Sequence, residues 1–170
     1  MATRNRASVL FVCLGNICRS PTAHGVFEGM LAGRGLADMV EVDSCGTGGW
    51  HVGEAPDTRA AAEAAKRGYE LGHLRARQVS AADFRRFDYI LAMDRANLRD
   101  LRLLCPSEYA GHLGLFLEFA PDTGVTEVPD PYYGGEEGFS HVLDLVESAS
   151  EGLLETIGSG GSSTGASPAL

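Results

Sequence analysis

The segment from Ser8 to Cys13 (Ser-Val-Leu-Phe-Val-Cys) is a continuous apolar run rich in β-formers. Such a run reads as a strand buried on both faces, the kind found in parallel sheets. Leu14-Gly15-Asn16-Ile17-Cys18-Arg19 then breaks the pattern, and Ser20-Pro21 opens a helix. Ser20 is the expected cap and Pro21 suits the first turn. The helix is predicted to run to about Leu31, with Gly33 and Gly35 ending it. Further strands are predicted at Met39–Asp43, Tyr89–Met93 and His112–Phe119. Between them lie a Gly-rich loop from Ser44 to Pro56, an Ala-rich helix capped by Asp57 and stopped by Gly68, a short helix after a capping-box-like Ser80-Ala81-Ala82-Asp83, and a helix from Arg95 to Leu104. An irregular loop over Pro121–Gly138 leads to a last helix, Phe139–Ile157, whose apolar residues Val142, Leu145, Val146, Ala149, Leu153 and Ile157 share a face. Strands alternating with helices imply an α/β fold built on a parallel sheet.

With 170 residues the chain is sized for one domain, and it can bury enough surface to fold without a disulfide or metal staple. Residues 1–157 are assigned to that domain, and the Gly/Ser-rich stretch 158–170 to a flexible tail. The 14 basic and 23 acidic residues leave a net charge of −9. That excludes a nucleic-acid-binding domain with a dominant basic face, but not a small anionic substrate held by local dipoles. No segment approaches the ~18 apolar residues of a membrane span, so no membrane association is expected. No small-residue cleavage site follows the basic N-terminus, and a cytoplasmic location is expected. Lys66 is the sole lysine among many arginines, a bias that suggests a GC-rich, bacterial source.

The chemistry concentrates where the first strand meets the first helix. A strand–loop–helix turn gathers backbone N–H groups into one concavity, and the helix N-terminus adds partial positive charge. A tetrahedral dianion such as phosphate fits that nest. Gly15 and Asn16 tolerate the left-handed backbone that such curvature needs. Cys13, at a helix N-terminus and beside an arginine, is expected to be largely thiolate near neutrality, and a thiolate attacks phosphorus well. Arg19 can grip two phosphate oxygens at once. Cys13-x5-Arg19 therefore combines a nucleophile with an anion clamp. Phosphate-ester cleavage also needs a proton for the leaving oxygen. Asp130 in Val128-Pro129-Asp130-Pro131-Tyr132-Tyr133-Gly134-Gly135 is the candidate, on a loop stiffened by two prolines.

Cys-Leu-Gly-Asn-Ile-Cys-Arg-Ser-Pro near the start of the chain and Asp-Pro-Tyr-Tyr-Gly near its end resemble the low-molecular-weight protein tyrosine phosphatases. The likeness covers roughly residues 8–157. It includes Asp43-Ser44, Gly46-Thr47, Trp50-His51-Val52-Gly53, Asp57 with Arg59, Ala76-Arg77-Gln78, Phe87-Asp88-Tyr89-Ile90 and Met93-Asp94 with Asn97-Leu98. The resemblance implies a Rossmann-like α/β fold, a central four-stranded parallel sheet flanked by helices on both faces, and with it a phosphocysteine intermediate on Cys13, phosphoryl binding by Arg19, and Asp130 as acid and then base. That pairing predicts an acid-shifted bell in the pH–rate profile. It assigns substrate contacts to the loop residues Leu14, Gly15, Asn16, Ile17 and Cys18 and to Ser20, with Trp50, Tyr132 and Tyr133 lining the mouth. Asn16 and Ser44 would brace the loop, and Asp94 would stand just behind the site. Cys18 would form a reversible disulfide with Cys13. Arg19 and the backbone N–H groups supply the charge stabilisation, so no metal or cofactor is expected.

Many family members carry a histidine directly before the x-Ala-Arg-Gln segment, bracing the phosphate loop. Here the sequence reads His73-Leu74-Arg75-Ala76-Arg77-Gln78, so either His73 reaches the network through a bulge or Leu74 replaces it. His24 stands where family members often have glutamate, and a solvated surface position is expected for it. His51, His112 and His141 are expected to be packing or surface residues. The expected substrate is a phosphotyrosine-containing protein, made by a cognate tyrosine kinase and dephosphorylated by a monomer. Two alternatives share the fold. An arsenate reductase needs two further neighbouring cysteines, which residues 79–104 lack. A protein-arginine phosphatase tends to have threonine where Ile17 stands.

Overall fold

A computed structural model of the chain describes residues 7–132 and 134–163. The central strand β1 (Ala7–Cys13) pairs in parallel with β2 (Val40–Gly46) on one side and β3 (Tyr89–Ala92) on the other. β4 (His112–Leu115) adds to β3, giving the order β2-β1-β3-β4. The helices are α1 (Arg19–Gly33), α2 (Thr58–Lys66), the single turn α3 (Asp83–Arg86), α4 (Arg95–Leu104) and α5 (Glu136–Ser163). The four-stranded parallel sheet flanked by helices agrees with the sequence reading.

Strand parity divides the core and aims the site. Val9, Phe11 and Cys13 pack into the cluster that α1 and α5 cover with Val26, Phe27, Val142 and Val146. Leu10 and Val12 belong to the other cluster, with Phe84, Leu98 and Leu101 of α3 and α4. Successive strand residues face opposite ways, so Cys13 falls on the α1 side while Cys45 packs with Leu10 and Val12 across the sheet. Phe11 meets both Phe27 and Phe116 edge-on, at centroid distances of 5.8 and 4.9 Å.

Several boundaries differ from expectation for local reasons. β2 continues to Gly46, because Cys13 still has a partner there and Gly46 also bridges to Gln78. β4 stops at Leu115 and residues Phe116–Phe119 coil into a 3₁₀ turn. β3 ends at Ala92, and the next carbonyl, that of Met93, accepts from Val128 N–H instead. Ser20 does not cap α1. Its N-cap is Cys18, with no side-chain bond, and the Ser20 hydroxyl is committed elsewhere. α3 begins after Ala82, and only half of the expected box forms, with Asp83 accepting from Ser80 N–H. A full box appears at α4, where Asp94 and Asn97 cap reciprocally. α5 starts at Glu136 and reaches Ser163, past the expected end at Ile157 and into the stretch assigned to a tail. Residues 164–170 of that stretch lie outside the described residues. No helix among the described residues is long and apolar enough to cross a membrane.

Gly152 lets α5 lie against the 3₁₀ turn. A Cβ there would sit 1.9 Å from the carbonyl oxygen of Phe119, a backbone atom that cannot rotate away. Gly152→Ala is expected to cost about 1–3 kcal/mol by overpacking. Denaturant unfolding measures it.

Candidate active site

The turn after β1 is built so that its carbonyls point outward. The carbonyls of Cys13, Leu14 and Ile17 accept from the N–H groups of Thr47, Gly48 and Asp57 at 2.9, 2.9 and 2.8 Å. In a trans peptide the N–H points opposite to its carbonyl, so the amides of Leu14, Gly15 and Cys18 turn into the concavity. Gly46 makes room for this, since a Cβ there would lie 2.6 Å from the Leu14 carbonyl oxygen. Asn16 adopts the left-handed conformation, φ 58°. Its N–H donates to Cys13 Sγ at 3.3 Å, while its side chain accepts from Arg77 N–H and donates to Ser20 Oγ at 3.0 and 2.8 Å. Ser20 Oγ lies 3.0 Å from Cys13 Sγ and 3.3 Å from the Cys45 carbonyl.

Arg19 enters the same space from the first turn of α1, its side chain only 4% exposed. Nη1 donates to Asp94 Oδ2 at 2.7 Å and to the Val128 carbonyl at 3.1 Å, and Nη2 lies 3.6 Å from Asp130 Oδ2. Burial works against the guanidinium charge, but Cys13, Asp94 and Asp130 outweigh it and hold Arg19 above its ordinary value. Asp130 Oδ1 accepts from Tyr132 N–H at 3.0 Å, which fixes the carboxylate within its loop. Arg59, bidentate to Asp57, stacks over the rings of Tyr132 and Phe139 at 5.3 and 4.8 Å and so ties α2 to that loop.

Cys13, Leu14, Gly15, Ile17, Cys18, Arg19, Trp50, His51, Asp130 and Tyr132 line a cleft of about 250 Å³. The structure thus brings together most of the residues singled out in the sequence. Tyr133 lies outside the described residues. His51 joins the wall and pairs with Glu54 at 3.0 Å, a position the sequence reading left to surface or packing. Its place beside Trp50, in a loop rich in glycine, was the available signal. One open alternative is decided and one expectation is corrected. His73 does not reach the loop: its side chain is 61% exposed and faces Glu28 at 3.7 Å, while Leu74 is buried. His24 is not solvated but buried, with Nδ1 2.9 Å from Ser44 Oγ. The Ser44 hydroxyl therefore meets α1 rather than the loop. Cys18 is buried, and burial, followed by the charges of Asp57, Cys13 and Asp130, pushes its thiol up to about 12. No cluster of three or more metal-ligating side chains occurs among the described residues.

A thiol under a ring of inward amides, with a buried guanidinium beside it and a carboxylic acid across the cleft, is equipped to bind and attack a tetrahedral oxyanion. The sequence comparisons agree with that class. The family model for low molecular weight phosphotyrosine protein phosphatases matches residues 8–162. A low molecular weight protein-tyrosine-phosphatase of Streptomyces coelicolor is 48% identical over 152 residues, spanning 88% of this chain and 92% of that one. The crystal structure of a protein tyrosine phosphatase from Entamoeba histolytica superposes with a TM-score of 0.87 at 41% identity, covering 91% of this chain and 99% of that one. A Drosophila arginine phosphatase gives 0.82 at 32% identity, covering 87% and 96%. The chain belongs to the low molecular weight phosphotyrosine protein phosphatase family.

Asp94→Asn keeps an N-cap for α4 but removes the charge partnered with Arg19. Removing one partner of a buried pair typically costs about 3 kcal/mol. The thermal midpoint is expected to fall, and to recover partly when inorganic phosphate supplies the missing negative charge. An equal loss with and without phosphate, in thermal melts, is the contrary result.

Proposed function

We propose that the protein hydrolyses phosphotyrosine through a phosphocysteine intermediate, without a metal ion. The observation that carries this reading is the convergence of Cys13 Sγ, the buried Arg19 and Asp130 in one cleft. The Cys13 thiolate attacks phosphorus as the bond to the tyrosine oxygen breaks. Asp130 gives its proton to that oxygen. The Asp130 carboxylate then takes a proton from water, which attacks phosphorus and breaks the S–P bond. Inorganic phosphate leaves, and the Ser20 hydroxyl hydrogen-bonds the thiolate as it re-forms. Arg19 and the loop amides stabilise the charge on the equatorial oxygens in both steps. Leu14, Trp50 and Tyr132, all partly exposed around the mouth, suit an aromatic ring carrying the phosphate beyond its backbone. The expected setting is a monomer in the cytoplasm acting on proteins that a tyrosine kinase has modified.

Phosphate release from phosphotyrosine, phosphoserine and phosphoarginine substrates, with a chelator and a reductant present, tests the reading. Fast release from phosphotyrosine alone, abolished in Cys13→Ser, is expected. Activity confined to phosphoarginine would keep the nucleophile and overturn the substrate. Asp130→Asn is expected to lower kcat on phosphotyrosine by about 10²–10⁴-fold, and much less on an ester whose leaving group needs no proton.

Cys18 is proposed as the resolving thiol. Peroxide converts Cys13 to a sulfenic acid, and Cys18 sulfur displaces its hydroxyl, giving a disulfide and water. Because burial keeps Cys18 protonated at neutral pH, the displacement is expected to accelerate as pH rises. Peptide mass mapping after a peroxide pulse reads the linked pair. Cys18→Ser should lose activity irreversibly in the same pulse, and full recovery of that variant by a thiol reductant would refute the assignment.

A further inference from the structure

The first helix carries a buried histidine that the proposed reaction does not use. His24 is 6% exposed, and both ring nitrogens are engaged. Nδ1 lies 2.9 Å from Ser44 Oγ and Nε2 lies 3.3 Å from Glu28. The hydrogen bond from His24, set against burial, holds Glu28 below its ordinary range. A carboxylate can only accept, so the Nε2 N–H donates to Glu28, and Nδ1 is hydrogen-bonded to the Ser44 hydroxyl. Ser44 is itself 5% exposed, so no substrate reaches its hydroxyl, and the trio is not a second catalytic centre.

Its position in the fold assigns a different task. His24 stands one helical turn after Ser20, on the same side of α1. Both residues reach β2 at neighbouring positions, Ser20 Oγ to the Cys45 carbonyl at 3.3 Å and His24 to Ser44 at 2.9 Å. The Ser20 contact is at the long end for a hydroxyl hydrogen bond, whereas the His24 contact is of ordinary length. Ser20 also has a single proton, which it must offer either to Cys45 or to Cys13 Sγ, 3.0 Å away. It cannot both hold the helix against β2 and serve the sulfur.

We infer that His24 is a positioning residue for the reaction: by binding Ser44 it clamps the start of α1 to β2 and leaves the Ser20 hydroxyl free to stabilise the Cys13 thiolate. The clamp accounts for a buried imidazole in a helix that otherwise presents Ala23, Val26 and Phe27 to the core. His73 points away to Glu28 and the buried Leu74 side chain offers no hydrogen bond, so of these three residues it is His24 that meets Ser44. Glu28 orients the ring from the next turn of α1, and His73 lies beyond it.

This inference rests on Cys13 being the nucleophile, and it is tested by a reading that needs no turnover. The rate of Cys13 carboxymethylation by iodoacetate is followed against pH by peptide mass mapping in the full chain and in His24→Leu, His24→Gln, Ser44→Ala and the His24→Leu/Ser44→Ala double variant. In His24→Leu the alkylation midpoint is expected to move up, slowing the reaction at about pH 6 roughly three- to tenfold, or about 0.5–1 pH unit. Ser44→Ala should move it equally and the double variant no further, because the two act as one link. Glutamine can accept from Ser44 while donating to Glu28, so His24→Gln should restore most of the rate. An unchanged midpoint in Ser44→Ala, or a fall in thermal midpoint without any shift in alkylation, overturns the inference and leaves His24 a packing residue. Additive effects of the two substitutions overturn it as well. Failure of the phosphatase reading shows elsewhere, as activity persisting in Cys13→Ser.

Discussion

Arg19 is a full positive charge placed almost entirely out of water, and the surrounding structure is arranged to make that tolerable. An unpaired buried guanidinium would be strongly unfavourable. Its partners come from three separate parts of the chain: Cys13 at the end of β1, Asp94 at the start of α4, and Val128 with Asp130 on the loop before α5. The charge therefore does more than wait for an anion. It draws together the C-terminal ends of β1 and β3 and the loop that carries the acid. Asp94 serves twice, accepting from Arg19 with Oδ2 and capping α4 with Oδ1, so the helix start and the site are held by the same carboxylate.

Strand parity supplies the other half of the geometry. A reader of Ser8–Cys13 sees only a doubly buried strand, yet its alternation already decides that Cys13 shares a face with Val9 and Phe11. α1 covers that face, so the thiol meets the helix start rather than Cys45 on the neighbouring strand. The sheet, the order of helices and the pairing of loop with helix were legible because each rests on short-range signals: an apolar run, an Asp cap at α2, a glycine stop. The end of β4 was not. Leu113 to Phe119 is apolar enough to continue as a strand, and what stops it at Leu115 is the absence of further β3 backbone, with Val128 N–H taking the Met93 carbonyl. Competition for a carbonyl between distant segments leaves no local mark.

The site divides in the same way. Cys13, Arg19 and Asp130 announce themselves by residue type and neighbourhood, and the structure gathers them into one cleft. His51 was passed over because a histidine in a glycine-rich loop resembles any surface histidine until the loop folds back over Gly15. His24 was misplaced for a sharper reason. Helix polarity normally tells which side faces water, but from Arg19 to Phe27 every residue of α1 is buried. A helix start enclosed on all sides has no polar stripe, so periodicity cannot distinguish an exposed histidine from an enclosed one.

That enclosure gives the polar residues of α1 their meaning. Thr22 returns its hydroxyl to the Cys18 carbonyl at 2.7 Å, Ser20 turns to Cys13, and His24 turns to Ser44. Each of these buried hydroxyls and the imidazole is spent on the loop, on β2 or on the helix's own backbone, because one without a partner would cost about 1–3 kcal/mol. A change at one of these positions must be answered at another. The Leu74 side chain offers no hydrogen bond, and it is the His24 imidazole that meets the Ser44 hydroxyl on β2. The thiol thus stands above a small enclosed polar cluster in which each member's hydrogen bond limits what its neighbours can do with theirs.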